Sequence, residues 1–153
     1  MAIDGLRNLI QEATRALLQA DSALVAIVGG QIYDEAPNEA LSGPVVLLGE
    51  MDTLPDMTLG STGNRDLVLE ITHRIFVICA PDEDADVQTR GFKAARLAAD
   101  KIFDDLFGKT LTLSGSTFTP SPMDMLEDVT DRRLEDGARA ITIPLHMFLC
   151  GTV

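Results

Sequence analysis

Catalysis through an activated nucleophile needs a base within hydrogen-bond reach, usually a histidine. The 153-residue sequence holds only two, His73 and His146. His73 falls on the apolar side of an alternating run, which reads as a satisfied core or interface histidine. His146 falls on the polar side of a second alternating run. It can neighbour Glu70 and Arg74 if the two runs pair, and the expected result is a salt-linked surface patch. Cys79 and Cys150 end apolar stretches and lack the C-x-x-C spacing of a redox pair or zinc half-site. Two buried, reduced thiols are expected, with a disulfide as the alternative. The run Asp82, Glu83, Asp84 and Asp86 has the carboxylates of a calcium loop but not its mid-loop glycine or closing glutamate. It reads instead as a helix start, where negative charge is favoured. No G-x-S-x-G elbow precedes a helix, and G-x-x-x-x-G-K-[ST], G-x-G-x-x-G and H-E-x-x-H are absent. The pair Gly29–Gly30 follows a helical pattern and so reads as a cap, not a phosphate cradle. No catalytic residue, cofactor or metal ligand is expected.

Acids outnumber basic residues 24 to 12, giving a net charge of −12. A reader of duplex DNA needs lysine and arginine to displace counterions, so this balance argues against one. It does not argue against a surface that DNA slides past without sticking. Residues 121–137 concentrate the acids, with Asp124, Glu127, Asp128, Asp131, Glu135 and Asp136 set against Arg132 and Arg133. Either a solvated hairpin or a surface facing a charged partner or channel accounts for them. Asp4, Arg7, Glu12, Arg15 and Asp21 interrupt the first 30 residues, so no signal peptide is expected there. No apolar run approaches the roughly 20 residues of a membrane span.

The elements that position these groups follow from periodicity. Residues 3–20 read as an amphipathic helix, with Leu6, Leu9, Ile10, Ala13, Leu17 and Ala20 at spacings of three and four. A short helix over 23–28, a short strand at 32–33 and a buried strand over 44–50 follow. Residues 51–66 lack a sustained period and read as a long loop, or alternatively as a hairpin arm. Residues 67–79 alternate cleanly between Leu67, Leu69, Ile71, His73, Ile75, Val77 and Cys79 on one face and Val68, Glu70, Thr72, Arg74, Phe76 and Ile78 on the other. A helix is expected from the acidic run at 82 to about Phe107. A hairpin around Ser114–Gly115–Ser116, an irregular strand over 123–134 and a last strand over 138–149 complete the order. Pro144 places that last strand at an edge, or bulges it. The fold class expected is α+β in one domain over 1–153: two long helices packed on one face of a mostly antiparallel, mixed sheet, with a long loop or hairpin arm.

One stretch carries a more specific signal. It comprises Leu17–Leu18, Asp21–Ser22–Ala23–Leu24, Ile27–Val28–Gly29–Gly30, Ile32–Tyr33, Ala36–Pro37, Pro44–Val45–Val46 and Leu48–Gly49–Glu50. It resembles the opening of the tail completion proteins of long-tailed bacteriophages and gene transfer agents, which share the architecture of the lambda-like tail terminator. The strand 67–79, the Gly- and Ala-rich segment 91–99 and Leu111–Leu113 extend the resemblance.

The resemblance implies a homo-oligomeric ring, expected to be a hexamer, at the head-proximal end of the tail tube. That ring stops tube growth and offers a docking face to the head completion or connector protein, while DNA passes through its lumen without specific binding. It implies no cofactor and no catalytic residue. The protein is expected in the virion, assembled in the host bacterial cytoplasm and away from membranes. A head completion or connector protein of the neck, or a small ligand-binding or hydrolase domain, are the alternatives. The residues expected at subunit or tube interfaces are Leu54, Pro55, Met57, Leu59, Arg65, Pro144 and His146. Those expected to line the lumen are Glu50, Asp52, Asp56, Asp124, Glu127 and Asp128.

Overall fold

The computed structural model describes residues 3–36, 43–59, 66–80, 92–134 and 137–152. Helices α1 (Ile3–Gln19) and α2 (Ser22–Val28) come first, then strands β1 (Ile32–Tyr33), β2 (Pro44–Leu59) and β3 (Asp66–Cys79). Helix α3 (Phe92–Leu106) and strands β4 (Thr119–Pro120), β5 (Thr130–Arg133) and β6 (Arg139–Thr152) follow. The sheet runs β1-β2-β3-β6-β4, and β5 also pairs with β6. Among the described residues only β1 and β2 pair in parallel, and every other pair is antiparallel. The chain is therefore α+β, with three helices and a mixed sheet among those residues.

Each helix forms for a local reason. In α1 the buried stripe is Leu6, Ile10, Thr14 and Leu18. The Thr14 hydroxyl donates to the Ile10 carbonyl at 2.7 Å, which satisfies it without water. The Asp21 carboxylate accepts from the amides of Ala23 and Leu24 at 3.0 and 3.2 Å, capping α2. Gly29 ends that helix at φ 62°, a left-handed conformation that a Cβ would penalise. On α3 the buried residues Ala94, Ala95, Ala98 and Ala99 are small, so the helix axis lies close to the sheet and touches β2, β3 and β6.

Strand β3 pairs along its whole length with β2 on one side and β6 on the other. Its residues Leu69, Ile71, Ile75, Val77 and Cys79 are buried in one core with the α1 and α3 stripes and with Ile141, Ile143, Leu145, Met147 and Leu149 of β6. Each such aliphatic side chain contributes about 1.5–3 kcal/mol on burial. The alternation expected for 67–79 is what the structure shows.

Several expectations need correction. The helical layer is α1 and α3 together with the expected short helix α2. The expected helix start at 82 lies outside the described residues. Residues 51–59 are not a loop but the second half of β2, paired with β3 up to Leu59 opposite Asp66. The ladder shifts register between Leu48 and Met51 and again between Pro55 and Met57, which erases the period-two signal. Gly49 sits at the first shift because a Cβ there would lie 2.2 Å from the Phe76 ring. Residues 110–118 form no hairpin ladder: the chain turns at Ser114–Gly115 and tucks Leu111, Leu113 and Phe118 into the core. Cys79 is buried as expected, but Cys150 is exposed, and no disulfide joins them. Pro144 lies within a paired strand, opposite Arg74 of β3. His146 exchanges both backbone bonds with Asp124 on the other side, so by alternation the missing Pro144 donor also points away from β3. It falls between β5 and Asp124, where no strand pairs among the described residues.

One buried and one half-buried polar group respond to pH. His73 faces the core, and among the described residues its Nε2 has no hydrogen-bond partner. Burial lowers its pKa from 6.5 to about 4, against a smaller opposing pull from Asp34. The unfolded chain thus binds the extra proton first, and this contribution to stability is lost as pH falls from 6.5 towards 4. Asp105 on α3 behaves oppositely. Partial burial, and then the neighbouring Asp21 carboxylate, raise it from 3.8 to about 7. The native state holds that proton longer, so stability falls as pH rises from about 4 to 7. Asp105→Asn removes the second effect. We expect a gain of about 1–2 kcal/mol at pH 7, after allowance for solvent screening, and a smaller gain at pH 4.5, both read from urea unfolding.

Candidate functional site

The even-numbered side chains of β3 project onto the face of the sheet opposite the shared core, and with them the matching residues of β2 and β6. Register places Asp52 opposite Thr72, and His146 opposite Thr72 on the other side. The segment after β4 runs along the outer edge of β6 and reaches over this face. Its Ser121 amide donates to Phe148 O at 2.8 Å, and Asp124 exchanges backbone bonds with His146 at 2.8 and 2.9 Å.

The His146 ring lies between two carboxylates. Nδ1 is 2.6 Å from Asp124 Oδ1, and Nε2 is 2.8 Å from Glu70 Oε1. An imidazolium donates at both nitrogens and so satisfies both contacts. The ring also meets Phe148 edge-on at 4.8 Å and is almost completely buried. Next to it, Arg74 bonds Asp52 at 2.5 Å and lies 3.5 Å from Glu127. These partners, Asp52 first, raise the Arg74 pKa and hold its charge. The result is a polar face with Asp52, Glu70, Asp124 and Glu127 around Arg74 and His146, and with Glu50 exposed beside them.

His146 is an Asp–His–Glu sandwich with both nitrogens committed, and among the described residues no hydroxyl or thiol is hydrogen-bonded to it. Among the described residues no group of His, Cys, Asp and Glu is placed to hold a metal ion. The chemistry it can do is to fasten the 121–127 segment to the sheet and to present carboxylates outward.

The structure thus brings together Asp52, Asp124 and Glu127 of the acids expected to line a lumen, with Glu50 beside them. Asp128 is exposed on the same segment, while the Asp56 side chain lies outside the described residues. The expected neighbours Glu70 and Arg74 do stand beside the His146 strand, Glu70 bonding the ring. Within the patch the His146 ring is buried, as is Pro144, while the carboxylates of Asp52, Asp124 and Glu127 stay exposed. Leu54, Pro55, Met57 and Leu59 lie in the second half of β2, with side chains outside the described residues, as is all of Arg65. Sequence reasoning did not single out Leu126, Val129 and Leu134, which are large, apolar and exposed around β5. Their signal was apolar residues scattered through an acidic, turn-rich segment.

Fold and polar face together define a small α+β protein whose titratable groups pair with one another and whose outward features are carboxylates and strand edges. The chain belongs to the tail completion protein gp17 family, whose model it matches over residues 12–141. It is also similar to a chain in a solved structure titled "Virion of native gene transfer agent (GTA) particle". That similarity has a TM-score of 0.68 and 29% identity, and covers 92% of this chain and 94% of that one. A comparison with curated proteins finds no match. The protein is a structural component of a virion and of its tail assembly. Among the described residues no helix is long and apolar enough to cross a membrane.

The His146 clamp is testable alone. His146→Leu removes the ring that bridges Glu70 and Asp124. The unfolding free energy is expected to drop by about 1–3 kcal/mol. Proteolytic cutting between Ser121 and Leu134 should accelerate several-fold, with little change elsewhere.

Proposed function

We propose that this protein is the tail terminator of its particle: a ring, built from copies of the chain, on the head-proximal end of the tail tube. The ring stops addition of further tube subunits and offers a docking face to the head completion or connector protein. DNA passes through its lumen. Family membership supports the tail assignment, and likeness to a gene transfer agent virion chain supports a place in the particle.

The observation that carries the ring reading is the polar face. A free-standing domain has little use for a sheet face on which Glu50, Asp52, Asp124 and Glu127 stay exposed around one arginine. Facing a lumen, these carboxylates repel phosphate at close range. Their reach is about 8 Å at physiological salt, enough to act on a duplex that nearly fills the opening. Asp56 and Asp128 belong to the same proposed lining. The second half of β2, with Leu54, Pro55, Met57 and Leu59, is the proposed contact with the tube, together with Arg65.

Deleting the gene tests the assignment. Electron microscopy of the deletion lysate is expected to show tail tubes of uncontrolled length. Tails of normal length that lack heads point instead to a connector role and contradict the terminator reading.

A further inference from the structure

The sheet leaves backbone donors and acceptors unpaired on two opposite sides. In an antiparallel ladder the N–H and C=O of one residue point the same way, and the direction alternates along the strand. On β6 the even residues bond outward, as His146 does to Asp124, so the odd residues bond β3. The even residues of β3 therefore bond β2, where Thr72 meets Asp52 and Glu70 meets Leu54. Met51 and Thr53 must then aim their backbone groups away from β3. Strand β1 covers β2 only at Val46 and Leu47, so among the described residues no strand answers Met51 and Thr53. Pro55 has no N–H to offer and ends this open edge.

The other open edge is β5. Leu134 N–H donates to Ala138 O at 2.7 Å across its hairpin with β6. By alternation Thr130 and Arg132 bond β6, while Asp131 and Arg133 aim outward. All four β5 residues are exposed. Among the described residues five large apolar side chains are exposed, and three of them lie around this strand: Leu126 at 66%, Val129 at 43% and Leu134 at 41%. Arg132 and Arg133 form no ion pair among the described residues. In a chain of net charge −12, two free arginines on an open edge next to exposed leucines mark a contact surface.

Strand direction fixes how the two edges can meet. β2, β3, β6 and β5 alternate in direction, so β5 runs opposite to β2. With the strands set roughly along the ring axis, a copy generated by the rotation of a head-to-tail ring keeps its strand directions and presents β2 antiparallel to the β5 of its neighbour. One register engages all four free residues, with Asp131 opposite Thr53 and Arg133 opposite Met51. That register sets Arg132 directly opposite Asp52. Both side chains lie on the polar face, since Asp52 pairs beside Thr72 and Arg132 beside Ala140. A cross-strand pair of opposite charge results. A groove of about 320 Å³ between α1 and β2, lined by Arg7, Asn8, Gln11, Gly49 and Met51, leaves room there for a neighbour's side chain.

We propose that the partner of β5 is a second copy of this chain, bound through residues 51–53 of β2 so that the sheet continues from subunit to subunit. This rests on the ring reading above and says which edges close it. The test is a disulfide between copies. Asp52→Cys and Arg132→Cys are placed in one chain with Cys150→Ser, and assembled alone or on the tail tube. Without reductant, a ladder of covalent oligomers is expected. The pair Asp52→Cys and Thr130→Cys, two residues out of register, is expected to cross-link at least tenfold less. Rings that form without the first disulfide, or with equal yields from both pairs, overturn this inference and leave the ring standing. A wild-type chain that stays monomeric alone and on the tube overturns the ring and this inference together. Should the cysteine chain fold but not assemble, Thr53→Pro decides. It removes the outward donor, along with the hydroxyl that accepts from Arg7 Nε at 3.3 Å, and leaves the bonds to β3 in place, so a folded monomer by circular dichroism and sedimentation is expected. Wild-type assembly of that variant contradicts the pairing.

Discussion

Strand β3 is hydrogen-bonded on both sides from Asp66 to Cys79, and its sequence alternates without a break. Those two facts fix almost everything else. Because its backbone is fully used, β3 can influence the rest of the chain only through its side chains. Period two divides these into an apolar set that must be covered and a set containing Glu70, Thr72 and Arg74 that need not be. The helices cover the first set. The second collects the carboxylates of neighbouring strands and the His146 clamp. A slip of one residue would send Glu70 and Arg74 into the core and Ile71 and Ile75 out of it, so the ladder register and the two-faced character of the molecule are one constraint.

Satisfying β3 moves the unpaired backbone to the strands on either side of it. On β6 it is covered piecemeal, by β5, by Asp124, by Ser121 and by β4. Pro144 stands in the gap between the first two, where a donor would be orphaned. That is a local solution to an exposed edge. The outer sides of β5 and of β2 near Met51 have no such solution within the described chain. Unpaired edges invite addition of another strand, and a protein that functions in an assembly can leave its edges open for that purpose.

The legible parts of the sequence were those where one physical signal acts alone. The α1 helix, the Gly29 stop and the β3 alternation were each readable because side-chain type alone decides them, although the buried α1 stripe runs through Thr14 and Leu18 and leaves Ala20 exposed. Proximity of His146 to Glu70 followed from pairing two alternating runs. What was hidden depended on partners or on broken periods. The second half of β2 has two register shifts, at Gly49–Glu50 and at Asp56, so neither a strand nor a helix period survives there. Residues 110–118 carry turn residues, yet Phe118 and the two leucines are claimed by the core rather than by a ladder. That His146 is buried could not be read either, because its cover comes from an irregular segment held by backbone bonds that no periodicity announces. The orphaned Nε2 of His73 is likewise a property of its neighbours and not of its own position.

The claim most exposed to test is that the chain is one unit of a closed collar through which DNA travels. A virion reconstruction at side-chain resolution, centred on the junction of tail and head, decides it. The account predicts a ring of these chains directly above the last layer of tube subunits, with Asp52, Asp124 and Glu127 turned to the channel. A single copy at that junction, a ring placed elsewhere in the particle, or a ring with those carboxylates on its outer wall contradicts it.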